Sequence, residues 1–255
     1  MVKLAANLSM LFPEMGFLDK FKAAADVGFK GVEFLFPYAY EADQLADLLK
    51  ANDLNQALHN LPAGDWAGGE RGIACHPDRV GEFQDGVGKA VAYATALSCP
   101  KVNCLSGKLP EGVDPEKAEE VLVENLRFAA AELKKAGILL VAEAINTFDI
   151  PGFFLSNTAQ TLAVLDKVGS DNLLYQYDIY HMQRMEGELA NTIKANLARI
   201  GHIQLAENPG RHEPGTGEIN YDFLLPYIDE LGYDGWIGCE YVPDQGFGWL
   251  ERFKA

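Results

Sequence analysis

The chain predicts a single (β/α)8 barrel, the TIM-barrel architecture, as one domain over residues 1–255. Three observations carry this expectation. Short apolar runs of strand composition alternate with amphipathic helical runs, giving eight β and eight α units. Such alternation means a parallel sheet, because each parallel crossover needs a helix. A length of 255 residues suits an α/β barrel, typically about 250 residues, and no stretch reads as a linker or low-complexity tract. No Gly-rich dinucleotide fingerprint follows the first strand, which argues against an open doubly wound sheet.

The elements follow in order. LAANLSM (4–10) is the first strand, and the amphipathic FLDKFKAAADV (17–27) is a helix stopped at Gly28. GVEFLF (31–36) leads to a helix over about 41–51. LNQALHNL (54–61) precedes a long loop and a helix over about 80–96. KVNCLSG (101–107) precedes a helix over about 115–136, in which Val121, Leu126, Ala129 and Leu133 keep the helical period. GILLVAEAIN (137–146) is the fifth strand, its apolar run suited to burial on both faces, with a helix near 158–167 after it. LLYQYDIY (173–180) is followed by a helix over about 187–199. HIQLA (202–206) is followed by a helix near 221–231, for which Asn220 is the N-cap. WIGCEY (236–241) and a short C-terminal helical segment complete the set.

Composition excludes several classes. Lys and Arg number 21 against 37 Asp and Glu, a net charge of −16. That balance argues against a nucleic-acid partner or an anionic membrane surface, since phosphate binding relies on clustered Lys and Arg. No run approaches the roughly 18 apolar residues of a membrane span. The N-terminal stretch lacks the h-region and cleavage pattern of a signal peptide. Cys75, Cys99, Cys104 and Cys239 are scattered without a CxxC pair, which fits reduced thiols in the cytoplasm. A small-molecule substrate is the expected partner, and a homo-oligomer is compatible with the sequence.

In barrels of this kind the active site lies at the C-terminal ends of the strands. The last four strands end at Glu143, Asp178, Gln204 and Glu240, so four adjacent strands each bring one oxygen-bearing side chain to a shared mouth. Carboxylates this close repel unless neutralised. A divalent cation with hard oxygen ligands, Mg²⁺ or Mn²⁺ rather than zinc, suits the set. Ion pairs with barrel Arg or Lys are the alternative. Alternation puts His202 and Gln204 on one face of strand seven and Glu207 on the other. Gln204 is taken as the inward group, His202 as a core residue and Glu33 as structural.

The loop NLPAGDWAGGERGIACHPD (60–78) is long for a βα connection, and such loops often serve as lids. Trp66 is placed to cap the mouth, Arg71 to contact substrate or pair with Glu70, and Lys108 to add a second cation. Cations there favour an anionic substrate. His59 and His181 lie beside strand ends and are candidate substrate contacts. Arg211 and His212 either reach the mouth or form a loop salt bridge to Glu213.

NLPAGDWAGGERGIAC, INTFDIPGF, YQYDIYHMQRMEGEL, ENPGRHEPGTGEINYD and GWIGCEY together closely resemble the hydroxypyruvate isomerase family. That family is one of the xylose-isomerase-like barrels, alongside ketose 3-epimerases and 2-oxo-tetronate isomerases. The resemblance runs over nearly the whole chain, from AANLSMLF to the segment around Trp249. It implies interconversion of hydroxypyruvate and 2-hydroxy-3-oxopropanoate by proton transfer through an enediolate. It also implies that Glu143 and Glu240 are the proton donor and acceptor, and that both, with Asp178 and Gln204, ligate a divalent metal. Ala144 stands where the family often has Pro, Thr147 where His is usual, and the tail after Tyr241 is shorter. A 2-oxo-tetronate isomerase or ketose 3-epimerase could use the same acids. An abasic-site endonuclease would call for several zinc ions and many His ligands, against the five His here. A non-catalytic sugar-acid binding protein is the remaining alternative.

Overall fold

A computed structural model describes residues 2–253; Met1, Lys254 and Ala255, the ends of the expected domain, lie outside the described residues. Eight parallel strands close into a barrel in sequence order. They are β1 (Lys3–Asn7), β2 (Gly31–Glu33), β3 (Asn55–Asn60), β4 (Lys101–Cys104), β5 (Leu139–Glu143), β6 (Leu173–Asp178), β7 (Ile200–Leu205) and β8 (Trp236–Cys239). The connecting helices are α1 (Lys20–Val27), α2 (Ala42–Ala51), α3 (Val80–Ala96), α4 (Pro115–Lys135), α5 (Thr158–Val168), α6 (Ile179–Met185), α7 (Leu189–Asn196) and α8 (Tyr221–Glu230). A 3-10 turn, Gly248–Arg252, follows the last strand. No helix among the described residues is long and apolar enough to cross a membrane.

Most strands end before the sequence patterns suggested. The apolar residues beyond them, such as Leu8, Phe34 and Leu105, stay buried as the chain turns outward over the barrel rim. The larger correction concerns the sixth unit. The expected helix over about 187–199 is α7 with a 3-10 turn, Leu197–Arg199, after it, but an additional helix, α6, precedes it and starts directly after Asp178. Ile179 and Tyr180 extend the strand-like composition of β6, so composition alone hides the boundary. Asp178 sets it, because its Oδ1 accepts the N–H groups of Tyr180 (2.8 Å) and His181 (3.1 Å), satisfying donors otherwise orphaned at a helix start. Asn220 caps α8 as expected, accepting the Phe223 N–H.

The helices bury their apolar faces against the outside of the strands. On α4 the buried face includes Leu122, Leu126, Ala129 and Leu133; Val121 is only half-buried. All four cysteines are buried free thiols. Inside the barrel the filling is different. Asn7, Glu33, Gln56, Asn60, Asn103, Gln176, His202 and Gln204 are buried, and the hydrogen bonds among them run from strand to strand. Glu33 accepts from Asn7 Nδ2 (2.9 Å), Gln204 Nε2 (2.7 Å) and His202 Nε2 (2.7 Å). Gly238 makes room for this arrangement: a Cβ there would lie 2.3 Å from the Glu33 carboxylate oxygens. Such satisfaction matters, because an unpaired buried charge costs several kcal/mol.

Candidate active site

Three carboxylates and one histidine meet at the C-terminal ends of β5 to β8. Glu143 ends β5, is 5% exposed and accepts a 2.9 Å bond from Asn103 Nδ2. Asp178 ends β6, and its Oδ2 is buried without a hydrogen-bond partner. Glu240 follows β8 and is bonded by Gln204 Nε2. His181, on the first turn of α6, places Nε2 4.0 Å from Glu143 Oε1 and 3.7 Å from Asp178 Oδ2.

The cation that reaches these acids is Arg211. Its Nη2 lies 2.9 Å from Glu240 Oε1 and 3.8 Å from Asp178 Oδ2, and its guanidinium lies 5.1 Å from the centre of the Tyr180 ring. Arg211 has φ 55°, a left-handed conformation uncommon outside Gly. The loop around it is braced by buried carboxylates. Glu207 accepts the Gly215 and Ile219 N–H groups. Glu213 accepts those of Asp244 and Gln245, so the alternative of a salt bridge between Arg211 and Glu213 is not realised. His212 turns away and contacts the Val242 carbonyl.

Burial dominates the electrostatics. It pushes Glu143 well above the usual carboxylate range, helped by the neighbouring Glu240 and Asp178. Burial also raises Asp178 against the pull of Arg211. It pushes Glu240 up to about 8, with Arg211 opposing and Asp178 and Glu33 assisting. Desolvation and the Arg211 charge hold His181 well below the ordinary histidine range. A site with acids shifted toward neutral pH can both take up and release protons there.

The expected residues divide clearly. Glu143, Asp178, Gln204, Glu240 and His181 come together. His59 does not: its ring packs against Tyr38 (centroids 6.1 Å apart) beside the Ala90 carbonyl of α3. That is the outer face of β3, and burial there lowers its pKa to about 4. Alternation supplies the reason. Asn60, one residue later, is in register with Asn103, whose amide reaches Glu143 inside the barrel.

The long-loop cations stay at the rim. Arg71 lies 4.2 Å over the Trp66 ring and donates to the Trp66 and Glu70 carbonyls (3.1 and 2.7 Å). Glu70 pairs with Arg79 instead of Arg71. Lys108 donates to the Gly69 carbonyl at 3.1 Å, strapping this loop to the segment after β4. Trp66 packs edge-on against Phe36 at 4.9 Å.

A divalent cation fits the donor set. Ligand atoms from Glu143, Asp178 and His181 lie within 4.8 Å of one another, and Asp178 Oδ2 is an orphaned buried oxygen that a cation would satisfy. Gln204 is less straightforward. Its Nε2 faces Glu33 and Glu240, while its Oε1 accepts from Gln176 Nε2 (2.6 Å). To ligate a metal the amide has to turn over. Its displaced Nε2 would then face Gln176 Nε2, so Gln176 has to turn over as well, presenting the Oε1 that now has no partner.

A model of the xylose isomerase-like TIM barrel family matches residues 21–253. The hydroxypyruvate isomerase of Escherichia coli strain K12 is 55% identical over 258 residues, with 100% of both chains covered. A 2-oxo-tetronate isomerase of Cupriavidus necator is 46% identical over 257 residues, covering 99% of each. The crystal structure of an AP endonuclease, family 2, from Brucella melitensis superposes with a TM-score of 0.96 at 42% identity, covering 100% of each chain. The chain belongs to the xylose isomerase-like TIM barrel family.

Proposed function

We propose that this chain is an aldose–ketose type isomerase that interconverts hydroxypyruvate and 2-hydroxy-3-oxopropanoate, with 2-oxo-tetronate the alternative substrate. The observation that carries the reading is the pair Glu143 and Glu240: two buried carboxyls, both shifted upward, at the C-terminal ends of β5 and β8, with Glu240 close enough to help raise Glu143. The likeness over the full chain to the E. coli enzyme supports the choice of substrate.

One carboxylate removes a proton from the hydroxyl-bearing carbon, giving an enediolate; the hydroxyl proton passes to the former carbonyl oxygen, and the other carboxyl delivers a proton to that oxygen's carbon. The two acids exchange roles in the reverse direction, which requires each to be poised near working pH. Arg211 holds the substrate carboxylate, replacing Arg71 and Lys108 in the role expected for them. Its guanidinium is the cation facing the acids, and its planar fork suits carboxylate recognition. Trp66 and Arg71 cover the rim and exclude water. A divalent cation, Mg²⁺ or Mn²⁺, held by Glu143, Asp178, Glu240 and Gln204 would polarise the substrate's carbonyl and hydroxyl oxygens.

Proton NMR of the enzyme with hydroxypyruvate in D₂O, with Mg²⁺ or with EDTA, tests the proposal. Deuterium entering carbon together with the aldehyde product is the expected result. Exchange with 2-oxo-tetronate alone moves the substrate and keeps the chemistry. Absence of exchange with both sinks the isomerase reading and leaves a sugar-acid binding protein.

A further inference from the structure

We infer that Asn146 fixes the tautomer of His181, so that a neutral imidazole points Nε2–H into the space between Glu143 and Asp178. There it acts as a hydrogen-bond donor to a substrate oxygen and not as a metal ligand. The donor role rests on the isomerase reading above; the tautomer itself does not.

The orientation of the Asn146 amide is over-determined. Its Oδ1 accepts the backbone N–H groups of Phe148 (3.1 Å) and Asp149 (2.8 Å), which can only donate. The opposite end is therefore Nδ2, and it donates to Asp149 Oδ2 at 3.0 Å. Asp149 is held in turn by Tyr180 Oη (2.7 Å) and Arg184. The same Nδ2 lies 2.7 Å from His181 Nδ1. An amide nitrogen has two hydrogens and no acceptor site, so Nδ1 must accept, and a neutral ring accepting at Nδ1 carries its proton on Nε2. Asn146 and His181 are both buried, so water offers no easy alternative partner.

The consequences reach the reacting centre. The Nε2–H lies 4.0 Å from Glu143 and 3.7 Å from Asp178, too far for a hydrogen bond to either. It remains available to an oxygen placed between them. A neutral donor stabilises charge developing on a carbonyl oxygen without giving up its proton. Ligation of a metal through Nε2 would require the proton on Nδ1, setting two N–H donors against each other at 2.7 Å. The carboxylates, with Gln204, are left as the ligands. Asn146 is accordingly a positioning residue, acting through His181.

Long-range ¹H–¹⁵N correlation of ¹⁵N-histidine-labelled protein near neutral pH reads the tautomer directly. The His181 signals are assigned by their loss in His181→Asn. The expected wild-type spectrum shows Nε2 protonated and Nδ1 unprotonated, unchanged by saturating Mg²⁺. In Asn146→Asp a carboxylate replaces the amide, and the proton should move to Nδ1. With hydroxypyruvate, kcat should fall roughly 10- to 100-fold with a smaller change in KM, as is typical for loss of an orienting partner. A wild-type imidazolium, a wild-type Nδ1–H tautomer, or loss of the Nε2–H on adding Mg²⁺ overturns the assignment, even if Asn146→Asp does not fold. A proton that moves in Asn146→Asp while kcat stays unchanged overturns the donor role. If wild-type protein isomerises neither substrate, the isomerase reading and the donor role fall together, and the spectrum still decides the tautomer.

Discussion

The two sides of the barrel mouth are built differently. On the side of β5 to β8 the functional groups stand on strand ends or on the first turn of a helix, buried and held by specific bonds. Asn103 holds Glu143, Gln204 holds Glu240, and Asn146 contacts His181. On the side of β3 and β4 the polar residues are carried by a long loop, and Arg71 and Lys108 spend donors on that loop's own carbonyls. The difference teaches that charge at the rim and charge at the reacting centre are separate provisions here. In the proposed function the first covers the rim, while the second performs the chemistry. Arg211 is the exception, a loop residue that reaches the centre because Glu207 and Glu213 fix the loop carrying it.

Substitutions can break this comparison. The largest effect is expected from Glu143→Gln and Glu240→Gln, each lowering kcat by about 10³-fold or more with the fold retained, as for loss of a general acid or base. Steady-state assays with circular dichroism check this, and near-normal turnover in either variant refutes the two-acid mechanism. Arg211→Gln should lower kcat/KM by about 10- to 100-fold, the scale of a lost charge-assisted hydrogen bond. A change under about threefold would return carboxylate binding to the rim cations. Arg71→Ala and Lys108→Ala should each cost no more than about fivefold in KM, since partly exposed ionic contacts are weak. A loss as large as that of Arg211→Gln would erase the distinction between the two sides.

Stability should depend on pH through the same acids. Burial pushes the Glu240 carboxyl up to about 8, from an ordinary value of about 4.5. Between those values the native protein retains a proton that the unfolded chain has released, so stability falls as pH rises. The contribution is complete below about pH 4.5 and lost as pH passes through about 8. Metal-free wild type should therefore lose several degrees of Tm across this window, and Glu240→Gln should lose fewer. Parallel Tm curves for the two proteins would contradict the upward shift.

Much of the β5 to β8 side was legible in the sequence because an acid closing an apolar strand has few bland explanations. Glu143, Asp178 and Glu240 all close such runs, and alternation turns Gln204 inward, where it bonds Glu33 and Gln176. His59 failed for want of phase. A run such as LNQALHNL contains polar residues on both faces, and only the register of Asn60 with Asn103 decides which face is inside. The start of α6 was hidden by Ile179 and Tyr180, which suit a strand as well as a helix. Arg211 could be only one of two alternatives, since its reach depends on a left-handed backbone within an irregular loop. Asn146 was missed because nothing in a sequence shows which end of an amide faces a ring.

Asp178 ties the history of the fold to that of the site. One of its oxygens starts a helix and the other is buried at the site without a hydrogen-bond partner. Selection for a folded barrel alone thus favours a short acidic or amide side chain at this point, whatever reaction the site performs. Aspartate and asparagine both serve the helix start, but only aspartate supplies charge. A single, structurally mild substitution there can therefore silence or restore the chemistry, which makes the scaffold easy to repurpose and easy to recover.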